Sequence, residues 1–166
     1  FIEADIMQFE GQLSEQFDIV YTSYGALNWL PDIRKWARTV SSYLKPGGVF
    51  YMAEIHPVSF GLDDGQDQED LIVKYPYFCG PEPMEFDVQG SYSDPDAVVT
   101  ITKEYAWQHS LGDIITAIAE NGMRIQFLHE HDETVFQQGK WLEKNGERMY
   151  RMKQHNPSFP LIYSVK

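Results

Sequence analysis

One cysteine stands in 166 residues. That thiol, Cys79, has no partner for an internal disulfide, and a chain so poor in cysteine fits a reducing compartment, so a cytoplasmic location is expected. No run approaches the roughly 20 apolar residues of a membrane span, so no membrane association is expected. Basic residues are scarce as well: 13 Lys and Arg face 25 Asp and Glu, a formal net charge of −12. Such a chain repels phosphate backbones and anionic lipid unless its cations gather in one patch. The nearest approach to a patch, Lys140, Lys144, Arg148, Arg151 and Lys153, is interrupted by Glu143 and Glu147. Nucleic acid is therefore not expected as a partner. Internal repeats and low-complexity segments are absent too, which sets aside solenoids and disordered tails. What remains is an ordinary globular composition, 43% hydrophobic and 23% charged, with aromatics at 14%. The length suits one domain with a real core. Phe1-Ile2-Glu3-Ala4-Asp5 reads as the end of a strand, and residues 1–166 are expected to be a truncated single domain.

Phe17-Asp18-Ile19-Val20-Tyr21-Thr22-Ser23 favours β structure without clean alternation, which predicts a strand buried on both faces, as in parallel sheets. Asp32 is placed to cap a helix carrying Ile33, Trp36, Ala37, Val40 and Leu44 at spacings of three and four. Pro46-Gly47-Gly48 ends it, and residues 49–55 form a second apolar strand. Strand, helix and strand at these lengths predict a parallel crossover unit.

From His56 to Trp107 the pattern changes. Residues 61–70 are acidic and read as a solvated loop. Residues 85–92 and 99–107 read as strands, and Ser93-Asp94-Pro95-Asp96 between them predicts a hairpin. In the second strand Val99, Ile101, Tyr105 and Trp107 share one face, while Thr100, Thr102 and Glu104 share the other. An antiparallel β insertion of about residues 57–108 is the expectation. Ser110 with Asp113 resembles a capping box, opening a helix whose apolar face is Leu111, Ile114, Ile115, Ile118 and Ala119. Asn121-Gly122 stops it. Residues 123–129 read as a strand, 130–160 as mixed and turn-rich, and 161–165 as a last strand.

Ala4-Asp5-Ile6, the run from Phe17 to Leu27, and Leu44-Lys45-Pro46-Gly47-Gly48 resemble, in this order, three motifs of the class I S-adenosylmethionine-dependent methyltransferases. The first resembles the acidic turn after the family's third strand, whose side chain reaches the adenine amino group. The second resembles the fourth strand and its exit loop, beside the cofactor's methionine portion. The third resembles the turn into the fifth strand. The resemblance covers most of the chain but only the C-terminal part of the family's domain. The family's glycine-rich loop has no match here, nor has the acidic residue that ends its second strand. By resemblance the fold is α/β, a partial doubly wound Rossmann-like sheet, mostly parallel with an antiparallel last strand. The implied activity is methyl transfer from S-adenosyl-L-methionine to a small-molecule acceptor, with residues 1–166 alone inactive.

On the same footing Asp5 and Ile6, with Tyr21, Thr22, Ser23, Tyr24 and Gly25, are the expected cofactor-binding residues. Open α/β sheets place ligands at the C-terminal ends of their strands, and a glycine there lets backbone approach closely. The substrate pocket is expected to be walled by Trp29, Tyr75, Tyr77, Tyr105 and Trp107. His56, at the end of the second strand, is the candidate catalytic base, since an imidazole titrates in the useful range. His129-Glu130-His131-Asp132-Glu133 invites a metal reading, but no third ligand can be placed by spacing, and a solvated strand end is preferred. No metal is therefore expected. Cys79 is read as an ordinary thiol.

Two other functional classes compete. Doubly wound sheets also serve nicotinamide-dependent dehydrogenases, and a non-catalytic binding module of the same fold is the third reading. By resemblance, the family's sheet order is three, two, one, four, five, seven, six. Without the first two strands, residues 17–23 become a free edge, a template for another chain. A homodimer through that edge is expected.

Overall fold

The computed structural model describes residues 1–65, 68–90, 97–153 and 158–166. A 3-10 turn, Ile6–Gln8, leads to β1 (Phe17–Thr22), and a second, Leu27–Trp29, leads to α1 (Ile33–Ser42). Then come β2 (Leu44–Ile55), the one-turn α2 (Pro57–Phe60), β3 (Met84–Asp87), β4 (Lys103–Ala106) and α3 (Leu111–Glu120). The chain closes with β5 (Leu128–His131), β6 (Glu133–Thr134), β7 (Leu142–Asn145), β8 (Met149–Met152) and β9 (Ile162–Val165).

The main sheet has the order β1-β2-β9-β5. β1 and β2 are parallel, and β9 runs antiparallel to both of its neighbours, β2 and β5. Three strands thus point one way and the last strand of the chain points the other. The motif before the second strand is not a simple helix stop. Phe17 pairs with Leu44 but Ile19 pairs with Val49, so Lys45 to Gly48 are looped out of the ladder. Gly47 sits at φ 79°, and a Cβ on Gly48 would lie 3.0 Å from the Lys45 carbonyl and 3.1 Å from the Asp18 carbonyl. Only glycine fits there without movement of backbone.

Both helices begin where a side-chain acceptor meets the free amides of the first turn. The Asp32 carboxylate accepts the Lys35 N–H at 2.9 Å, and the Ser110 hydroxyl accepts the Asp113 N–H at 3.1 Å. Each such cap contributes about 1 kcal/mol. α1 buries Ile33, Trp36, Ala37 and Val40 against Phe50 and Met52 of β2. α3 buries Ile114, Ala117 and Ile118 in the same cluster; Ala119, expected in its apolar face, is exposed, because the 3.6-residue period carries the stripe through Ala117 instead.

Both long helices therefore cover the same sheet face, and the expected double winding is not found among the described residues. The cause is handedness. The chain steps outward in one direction, from β1 to β2 and then past β9 to β5, and right-handed crossovers in one direction put their helices on one side. Nor is β1 buried on both faces. It is an edge strand, and Ile19 and Tyr21, which alternate onto the sheet face that neither long helix covers, are exposed, as is Phe17.

Elsewhere the elements shift. The strand expected over 123–129 begins only at Leu128, where pairing with Val165 starts; Met123 and Ile125 pack on the core without joining the ladder. The hairpin is shorter than expected, β3 pairing antiparallel with β4, and its turn, Ser93 to Asp96, lies outside the described residues. Its faces are also reversed: Glu104 and Ala106 turn inward, while Ile101 and Tyr105 are exposed. The turn-rich stretch holds a sheet of its own, order β6-β8-β7. Trp141 and Leu142 from it form a second core with Leu62, Met152 and Leu161. The Trp141 indole donates to the Asp63 carbonyl at 3.1 Å, which fastens the start of the acidic loop to this sheet.

Candidate functional site

Where β1 ends, the chain must leave the sheet beside the end of β2. Gly25, at φ 72°, makes the turn. Its exposed amides are gathered by one side chain that the sequence reading passed over. Glu54, 2% exposed on β2, accepts the Gly25 N–H through Oε1, the Ala26 N–H at 2.8 Å and the Leu27 N–H at 3.2 Å through Oε2. Oε1 also accepts the Ile55 N–H at 2.8 Å. Burial raises the carboxyl pKa above the ordinary value, and the four amides oppose that shift by favouring the anion. The signal was visible in principle: a single acid inside the apolar run Met52-Ala53-Glu54-Ile55.

Two adjoining cavities open around this loop. One, of about 670 Å³, is lined by Tyr24, Gly25, Ile55, Ser59 and Gln138 among others. The other, of about 390 Å³, lies under the β3–β4 hairpin, with Tyr75, Met84, Phe86, Glu104 and Gln108 in its walls. Asn28, Trp29, Phe60 and Asp64 line both and so form the partition. A third, open apolar groove of about 510 Å³ runs along the free edge of β1 past Ile6, Tyr21, Thr22 and Ser23. The amide oxygens of Asn28 and Gln138 are buried without a hydrogen-bond donor.

No protein-family model matches the chain, and no curated protein matches it in sequence. Solved structures do match. A protein of Listeria monocytogenes assigned as an S-adenosylmethionine-dependent methyltransferase superposes at a TM-score of 0.56 and 16% identity, over 98% of this chain. An S-adenosylmethionine-dependent methyltransferase from Mesorhizobium loti superposes at 0.51 and 15% identity, also over 98%. The chain has the S-adenosylmethionine-dependent methyltransferase fold. It spans 66% of the length of either structure.

Within this methyltransferase fold the expected cofactor residues fall on the two sides of one loop. Ile6, Tyr21, Thr22 and Ser23 line the edge groove, and Tyr24 and Gly25 line the larger cavity. Asp5 lines neither; its two oxygens accept the Met7 amide and the Gln8 side chain, each at 2.9 Å. Of the expected substrate walls, Trp29 and Tyr75 meet at the smaller cavity. The other three lie outside it. The Tyr77 hydroxyl accepts the Leu111 N–H at 3.2 Å, at the start of α3. Tyr105 points outward, and Trp107 borders a crevice of about 10 Å³. His56 lines none of the three cavities. Its Nδ1 accepts the Val58 N–H at 3.2 Å, and its Nε2 lies 2.9 Å from Glu130. That pairing selects the tautomer with the proton on Nε2. Burial lowers the His56 pKa, and Glu130 partly opposes the shift. Among the described residues no group of three His, Cys, Asp or Glu is arranged to hold a metal.

Replacing Glu54 tests the loop anchor. In Glu54→Gln the amide NH2 must face backbone N–H donors that now lack an acceptor, a loss of about 2 kcal/mol. We expect urea unfolding midpoints to fall accordingly at pH 7; an unchanged midpoint would remove Glu54 from its anchoring role.

The buried histidines fix a pH dependence. Burial lowers the pKa of both His56 and His109 below the ordinary 6.5, so below that pH the unfolded chain takes up protons that the folded chain refuses. Stability is fully present above pH 6.5 and declines as the pH falls from there. We expect the slope of unfolding free energy between pH 6.5 and 5 to flatten in His56→Gln. An unaltered slope would show that His56 titrates alike in both states.

Proposed function

We propose that this chain is the acceptor-facing part of a methyltransferase that uses S-adenosyl-L-methionine and acts on a small molecule. The observation that carries the reading is the pair of cavities sharing one wall at the C-terminal ends of two parallel strands, in this fold. Ligands of open α/β sheets lie at that end. The larger cavity suits the methionine portion of the cofactor: Tyr24 and Gly25 flank it, and Asp64 is its charged wall. An acidic wall complements a sulfonium and an ammonium group. The edge groove, with Ile6, Tyr21, Thr22 and Ser23, is assigned to the remainder of the cofactor, and Asp5 to the adenine side by resemblance. When bound, the cofactor supplies an electrophilic methyl group.

The chain's own residues then have to orient the acceptor. The partition of Asn28, Trp29 and Phe60 lets the two ligands meet, and in-line displacement gains chiefly from such alignment. The insertion of residues 57–108 closes the acceptor side. With both ring nitrogens engaged, His56 is a positioning residue that ties the end of β2 to α2 and β5, not a base. Full activity is assigned to a longer protein that supplies the glycine-rich loop, acting in the cytoplasm.

Calorimetric titration of the full-length protein with S-adenosyl-L-methionine tests the reading. Saturable heat, lost in Gly25→Val, is the expected result. A folded protein that gives no heat with it, or that binds a nicotinamide dinucleotide instead, overturns the proposal.

For residues 1–166 taken alone, with no cofactor in the groove, the free edge of β1 is proposed as the dimer contact, because its backbone groups have no strand partner among the described residues. Light scattering on residues 1–166 is expected to give twice the chain mass at micromolar concentration. A cooperatively folding monomer would refute the pairing.

A further inference from the structure

We propose that the cavity under the β3–β4 hairpin binds an organic ammonium group, which makes the acceptor an amine; the acceptor role rests on the methyltransferase reading, the cation site does not. The selection among charges points there. On the outside of the hairpin Glu85 is paired with Lys103 at 2.5 Å, and on the acidic loop Asp63 is paired with Lys74 at 3.0 Å. The two carboxylates that line the cavity, Asp64 and Glu104, have no hydrogen bond or ion pair among the described residues. Among the described residues no Lys, Arg or His lines it. Lys74 lies over the Tyr75 ring, 5.1 Å from its centroid, but is already held by Asp63 and is not a lining residue.

Glu104 is half-buried and sits opposite Phe86 in the ladder, facing in, while the apolar Ile101 and Tyr105 of the same segment face water. Amphipathic patterning would turn that segment over. A carboxylate with no counter-charge in a partly enclosed, aromatic-walled cavity is a natural partner for a cation. Around it stand the rings of Trp29, Phe60, Tyr75 and Phe86, and aromatic faces attract ammonium groups through their quadrupoles. The charged groups among the described lining residues are both carboxylates. An anion would be repelled, and a neutral apolar ligand would leave Glu104 unpaired. A protonated amine fits.

Three probes on one frame test this with the full-length protein: 2-phenylethylamine, 2-phenylethanol and phenylacetate, cationic, neutral and anionic at pH 7. Binding is followed by tryptophan fluorescence. We expect the amine to bind at least about tenfold tighter than the alcohol, and phenylacetate not to bind. Glu104→Gln is expected to bring amine binding down to the level of the alcohol, with Asp64→Asn, at an exposed position, reducing the preference in part. Equal affinity for amine and alcohol, or a preference that survives both substitutions, overturns the proposal. Cofactor titration is read separately: heat with the cofactor but no amine preference defeats this inference alone, and amine preference without cofactor heat defeats the methyltransferase reading alone.

Discussion

Two parallel strands end side by side, and the chain leaving the first must be held against the end of the second if anything is to bind there. The Glu54 carboxylate does this with amides from Gly25, Ala26, Leu27 and Ile55. Four donors on two oxygens leave little rotational freedom to the loop. Asn28 and Trp29 follow at once, so the wall between the cavities takes its place from this contact. The Asn28 carbonyl then accepts the Trp107 N–H at 2.8 Å, which carries the order onward to the end of the hairpin. An anion buried without such donors would cost several kcal/mol.

The second core serves the site from a distance. Trp141 and Leu142 pack on Leu62, two residues before Asp64, and the Trp141 indole holds the Asp63 carbonyl. A loop that reads as freely solvated is thereby fixed at its root. A Cβ on Gly139 would lie 2.3 Å from the indole nitrogen, so that glycine is set by the ring it covers. The acidic loop thus has two parts: a fastened beginning that presents Asp64, and a more exposed continuation through Glu69 and Asp70.

The sheet shows the reverse situation, order without cover. Its helix face is closed by α1 and α3, whereas Tyr21, Tyr51 and Phe127 form an aromatic row on the other face, with Tyr21 and Tyr51 stacked at 5.9 Å. Handedness of the crossovers makes this one-sidedness unavoidable for the elements described here. The same geometry leaves β1 at the edge.

Local signals were legible in the sequence. Helix caps at Asp32 and Ser110 bind amides within three residues, and periodic apolar stripes identify α1 and α3, so both depend on near neighbours only. The crossover from β1 through α1 to β2 follows from those local elements, and the three resembling motifs named the fold. What only the tertiary structure decided involves partners far apart in sequence. Glu54 reads as a stray acid in a strand until its loop, 27 to 29 residues earlier, closes on it. Glu104 reads as the solvent side of a strand until a cavity forms beneath it, and His56 reads as a base until Val58 and Glu130 engage both nitrogens. Periodicity assumes that acids face water. It fails where a loop's amides take the place of water, because burial of a charge is decided by what surrounds it in space and not by its neighbours in the chain.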